Sequence, residues 1–168
     1  MNWLLLIAAI VLIWRIAEGL HRGMVKEIIS FVSLVVLCLT VALIGTALSK
    51  YFEKDIISMI VAIVLLLILC IVHRLLSIVF FSAKLVAKLP VVKTVDKLLG
   101  AVIGVLETIV LLWTLFSFII TFGMGMLGQQ ILQYVTDSKV LSVIFNYNYL
   151  QVLVDMIAQK LQIGAMGM

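Results

Sequence analysis

Glu107 is the only charged residue between Leu98 and Phe122, a stretch in which sixteen residues are Leu, Ile, Val or Phe. Arg15 sits near the end of a second apolar stretch that begins at Asn2. An acid and a base in such surroundings can anchor helices to one another, or line a path for a solute or a proton. Taken as helices rising 1.5 Å per residue, the stretches place Glu107 roughly 13 Å beyond Leu98 and Arg15 roughly 7 Å before its own end. The two side chains are then within reach of each other. The aliphatic residues around Glu107 supply roughly −5 to −10 kcal/mol towards insertion, against about +2.5 to +3.5 for a central acid. The stretch therefore enters a bilayer whether or not Glu107 finds a partner.

Other residues capable of chemistry lack the company that chemistry needs. His21 and His73 have no cysteine or carboxylate cluster around them, so no metal site and no cofactor is expected. "GMGMLG", Gly123 to Gly128, spells a dinucleotide fingerprint, but the fingerprint works between a strand and a helix. Here it follows an apolar stretch and reads as a flexible exit. No serine elbow or zinc-protease helix occurs, and no enzyme is expected. Cys38 and Cys70 lie in apolar runs and read as packing thiols.

Apolar elements must position Arg15 and Glu107. The chain of 168 residues is 65% hydrophobic and 12% charged, against roughly 45–50% and 25% in soluble domains. A domain this size cannot bury that much apolar surface in water, so the bilayer is the solvent. The net charge of +4 suits anionic lipid headgroups, whereas no basic soluble face for nucleic acid is present.

Four stretches are long enough to span: Asn2 to Leu20, Ile28 to Ser49, a third starting at Ile56, and Leu98 to Phe122. No basic residue precedes the first and no small-residue cleavage site follows it, so it reads as a retained span and not a signal peptide. Arg15, Arg22, Lys26, Arg74, Lys84, Lys88, Lys93 and Lys97 fall on one side, against Lys50, Lys54, Lys139 and Lys160 on the other. That bias puts both termini outside. The third stretch, Ile56 to Leu89, is about 50 Å as one helix, longer than the hydrocarbon core of about 30 Å. A bend near His73–Arg74 is expected. Beyond it, His73, Ser77, Lys84 and Lys88 would form one stripe of a helix lying in the inner leaflet, ended by Pro90.

After Phe122 the pattern changes. Val140, Ile144, Tyr147, Val154, Ile157 and Leu161 recur at helical spacing, opposite Gln151, Asp155, Gln159 and Gln162. One or two amphipathic helices on the outer surface are expected, broken at "NYNY", Asn146 to Tyr149. The fold class is therefore all-α: a polytopic membrane protein with four transmembrane helices, one inner-leaflet interfacial helix and amphipathic C-terminal helices. The boundaries are 1–125 for the membrane domain and 126–168 for the C-terminal region.

Two blocks carry glycines where backbones must approach or turn. "EGLHRGMVKE", Glu18 to Glu27, reads as a charged re-entry turn or a docking element, with Gly19 and Gly23 allowing close packing. Gly100 and Gly104 form a small-xxx-small pair, and Glu107, Thr108, Leu111 and Thr114 continue its face. Glu107 should thus face helices and not lipid.

"RGMVKEIIS" and "KLPVVKTVDKLLGAVIGVLE" resemble, in this order and between these spans, two blocks of the CvpA family, the colicin V production proteins. Arg22, Gly23, Lys26, Glu27, Pro90, Asp96, Gly100 and Gly104 sit on the family pattern, and the resemblance covers about residues 1 to 125. It departs at Glu107, where the family often has a basic residue, and at Thr108, where it often has glycine. The resemblance implies a protein of the bacterial cytoplasmic membrane that supports toxin production, export or envelope homeostasis. Self-association or a membrane partner protein is the expected mode, with a small-solute or ion transporter using Glu107 and Arg15 as the alternative.

Overall fold

The computed structural model describes residues 2–49, 56–82, 93–122 and 125–166, and within them the side chains except at 56–59, 77–82, 93 and 161–166. Among the described residues there are helices and connecting turns, and no strand. The helices are α1 (Trp3–Arg22), α2 (Met24–Ser49), α3 (Ile56–Ser82), α4 (Lys93–Phe122), α5 (Gly125–Thr136), α6 (Lys139–Asn146) and α7 (Tyr149–Met166).

The 30 residues of α4 make a rod about 45 Å long, and it is the axis of the bundle. Helices α1 and α2 pack mainly on α4, and α3 packs mainly on α2. α1 runs antiparallel to α4 with their backbones touching. A side chain at Gly19 or Gly100 would collide with the other's backbone, and a Cβ at Gly104 would come within 2.5 Å of the Arg15 carbonyl oxygen. α2 runs parallel to α4, its face of Ser30, Leu34, Cys38, Ala42 and Gly45 buried and Gly45 seated on Phe122.

Between α1 and α2 there is a single turn residue. Gly23 has φ +80°, a left-handed conformation that strains any side chain, and its missing Cβ leaves room for the Asp96 carboxylate. Asp96 Oδ1 accepts from the Met24 amide at 2.9 Å. A carboxylate from α4 thereby caps the orphan amides and the positive end of α2.

The three C-terminal helices gather at the other end. α5 ties back to the start of α1 through Asn2 Nδ2, which donates to the Tyr134 carbonyl, while Asn2 Oδ1 caps α1 at Leu5. Trp113 Nε1 of α4 donates to the Ile144 carbonyl at 2.8 Å. Asn148 caps α7, accepting from Gln151 N at 3.1 Å, and donates to Trp113 O at 3.1 Å and Ser117 Oγ at 3.2 Å. Val135, Leu141 and Leu150 join Phe116, Phe118 and Phe122 in one core.

Two expectations are corrected. α3 is one continuous helix through His73–Arg74 to Ser82, so the expected change of direction is not made by interrupting the helix. Residues 83–89 and Pro90, where the interfacial helix was expected to continue and end, lie outside the described residues. The C-terminal region has three helices, not one or two. The break falls within "NYNY" as expected; of the expected stripe Val154 is buried and Ile144 and Ile157 are half-buried, but Val140 and Tyr147 are exposed, and Leu141, Asn148 and Leu150 are buried in addition. Apolar character alone does not separate a core position from one that meets lipid.

By length and composition, Trp3–Arg22, Met24–Ser49, Thr94–Phe122 and Lys139–Lys160 are apolar enough to cross a membrane. The last is interrupted at Tyr147–Asn148 and is not a single rod. Ile60–Leu76 of α3 is a further apolar helix.

The tight α1–α4 seam leads to a first prediction. Gly100→Ala and Gly104→Ala should each destabilise the protein by about 1–3 kcal/mol through overpacking. Val102→Ala on the exposed side of the same helix should change stability by less than about 0.5 kcal/mol. Thermal unfolding in detergent reads both.

Candidate functional site

Arg15, Glu18, Gly19 and Arg22 lie three and four residues apart and so share one face of α1. Gly19 brings that face against α4, and the antiparallel register places Gly104 opposite Arg15. Side chains lean towards the N-terminus of their own helix. On antiparallel helices Arg15 therefore leans along α4 towards Glu107, and Glu107 leans back towards Arg15. They meet as an ion pair, Arg15 Nη2 to Glu107 Oε2, at 2.5 Å.

Arg15 has further partners. Its Nη1 donates to Glu18 Oε2 at 3.1 Å, and Glu18 also pairs with Arg22. Its Nη2 donates to His73 Nε2 of α3 at 3.2 Å. A guanidinium only donates, so Nε2 accepts and the ring proton sits on Nδ1, which is buried without a partner. α2 adds Glu27 and Ser30, both of which lie against Glu107. Glu27 and Glu107 are 0% exposed and Arg15 is 9% exposed. Four helices thus contribute to one charged node inside an apolar bundle.

The node is not saturated. Neither oxygen of Glu27, neither oxygen of Glu107 nor Ser30 Oγ has a partner in hydrogen-bonding geometry. The Arg15–Glu107 contact is a charge contact without hydrogen-bond alignment.

The residues singled out in the sequence divide into two groups. Gly23, Asp96, Gly100 and Gly104 build the α1–α4 seam and the turn into α2. Arg15, Arg22, Glu27 and Glu107 make up the node. Lys26 is half-buried and has a partner of its own. Pro90 lies outside the described residues. His21 is exposed. His73, expected at an interface, is instead a member of the node. Sequence reasoning missed the meeting of Glu27 with Glu107, and the part of Ser30. One signal was available: Glu27, Ser30, Leu34 and Cys38 fall at helical spacing on the side of α2 that carries small residues.

Among the described residues no group of three or more histidines, cysteines or acids could hold a metal ion. What the arrangement can do is hold helices together by charge and exchange protons.

The family model described as Colicin V production protein matches residues 5–148. The chain belongs to that family. The match runs through α1 to α6 and takes in the whole node, and it extends past the first 125 residues to Asn148, the partner of Trp113. No curated protein and no solved structure matches the chain. Family and apolar helices together make it a multi-pass membrane protein of the colicin V production class.

The geometry orders the effects of three replacements. Arg15→Gln leaves two buried acids without their cation and should cost about 3–5 kcal/mol. Arg15→Gln with Glu107→Gln should recover part of that loss. Glu107→Gln alone should be the mildest, because Glu27 remains as a counter-ion for Arg15. Denaturation midpoints in detergent test the order, and strictly additive effects would show Arg15 and Glu107 to be uncoupled.

Proposed function

We propose that the protein works in the bacterial cytoplasmic membrane as a non-enzymatic helix bundle. It supports colicin V production or export, or envelope homeostasis, by associating with itself or with a membrane partner protein. The observation that carries this reading is the closure of the node. Arg15 is held by Glu107, Glu18 and His73, with Glu107 fully enclosed. Charges buried against one another in this way lock helices into one arrangement and do not line an aqueous route.

The outer surface supports association. Trp3, Ile7, Ile10, Ile13 and Trp14 are exposed along α1, a face that meets either lipid or a second helix. The excess of Lys and Arg near Arg22 and Lys93 supports an orientation with those residues in the cytoplasm and both termini outside, and contact with anionic headgroups on the inner leaflet. A second reading, an ion or small-solute transporter subunit using Glu107 and Arg15, is favoured by one specific observation. The carboxylate oxygens at the node lack hydrogen-bond partners.

Reporter fusions after Lys50 and at the C-terminus should be active outside, and cytoplasmic activity at both sites would reverse the orientation. Purified protein in proteoliposomes should pass no solute or ion, while crosslinking in native membranes should recover a discrete oligomer or complex. Flux abolished by Arg15→Gln would favour the transporter reading instead.

A further inference from the structure

The charges facing Glu27 and Glu107 do not balance. From α1 come Arg15, Glu18 and Arg22; from α2, Glu27 itself with the neutral Ser30; from α3, His73; from α4, Glu107. His73 accepts from Arg15 and is neutral. Two guanidinium groups therefore face three carboxylates. Arg22 and Glu18 pair at the more exposed edge, their side chains 31% and 22% exposed. The buried centre holds one enclosed cation, Arg15, and two acids, with Arg22 acting on Glu27 from the edge.

Two carboxylates that share a desolvated site do not both ionise, because each opposes the other's charge and water cannot screen them. The Glu27 and Glu107 oxygens have no hydrogen-bond donor aligned on them, and the buried Ser30 hydroxyl beside them is also without a partner. What the two acids lack is a donor between them. No group of three or more metal-ligating side chains is present among the described residues.

We propose that Glu27 and Glu107 bind a single proton between them, making the node a proton-binding site inside the membrane bundle. With the proton bound, one acid is neutral and donates to the other, and the remaining carboxylate balances Arg15. When the proton leaves, by way of the partly exposed Glu18–Arg22 edge, an uncompensated negative charge is stranded where α1, α2, α3 and α4 meet. The packing of these four helices thereby becomes sensitive to proton activity. This goes beyond the association reading and rests on the acid pair alone, so the two can fail separately.

The linkage has a definite sign. In the unfolded chain both acids are ionised at neutral pH, so the folded state holds one proton more. Raising the pH then works against the folded state.

The test uses the full chain in lipid nanodiscs. Infrared spectra at neutral pH should show a protonated carboxyl stretch that disappears in Glu27→Gln and again in Glu107→Gln. Each variant keeps one carboxylate for Arg15 and is expected to fold. The thermal midpoint of the unmodified protein should fall from about pH 5 to about pH 8 with the slope of one proton, and both variants should be flat over that range. If the unmodified protein shows no protonated carboxyl at neutral pH, or if the band survives in either variant, the shared proton is ruled out. A midpoint that does not change with pH in the unmodified protein rules it out without recourse to variants.

Discussion

A guanidinium inside an apolar bundle must be met by anions from the protein itself, because lipid tails offer none. Much of the rest of the structure can be traced to that constraint. Arg15 reaches Glu107 only because α1 and α4 approach to backbone contact, which requires Gly19, Gly100 and Gly104 to have no side chains. Holding α1 in that register needs a tight entry into α2, which Gly23 provides and Asp96 fixes. The turn in turn delivers Glu27 to the same point. The glycines and the charges are one device: the first set brings the helices close, and the second makes any other register costly.

The opposite end is held by different means. There Asn148, Trp113, Ser117 and Ile144 link α4 to the α6–α7 corner by neutral hydrogen bonds, and rings of Phe116 and Phe145 pack edge to face 5.2 Å apart. Neutral bonds depend weakly on pH, while a node of ionisable groups depends on it strongly. The bundle therefore has one end fixed by packing and one end governed by ionisation.

The sequence displayed some of this and concealed the rest. The all-helical class and the inward direction of Glu107 were legible, because long apolar runs and a small-xxx-small face have few other readings. The Arg15–Glu107 approach could be reached by counting depths along two helices. The C-terminal stripe was legible in part: Val154 is buried and Ile144 and Ile157 half-buried, yet Val140 and Tyr147 match the same apolar period and are exposed. In water, period and burial coincide; in lipid both faces of a helix are apolar, and small or polar residues such as Asn148 and Ser117 mark the inside better. His73, expected at an interface, lies inside a continuous α3 for a related reason. His73 need not sit at the water boundary when Arg15 is there to meet it. The pairing of Glu27 with Glu107 was hidden because it depends on how α2 is set against α4, a tertiary fact without local signature.

The distance in sequence between Arg15 and Glu107 has a consequence for biogenesis. α1 leaves the ribosome first, carrying a charge whose main counter-ion has not yet been made. At roughly 5–20 residues per second the wait lasts several seconds. Over that interval Glu18, one turn further along α1, and then Glu27 are the acids of the node already synthesised, and Arg15 lies near enough to the helix end to reach the headgroups. α1 thus enters the bilayer as a provisional span, and its commitment comes only when α4 arrives and closes the glycine seam. A translocon or lipid environment that retains such a half-charged helix is part of what this chain needs in order to fold.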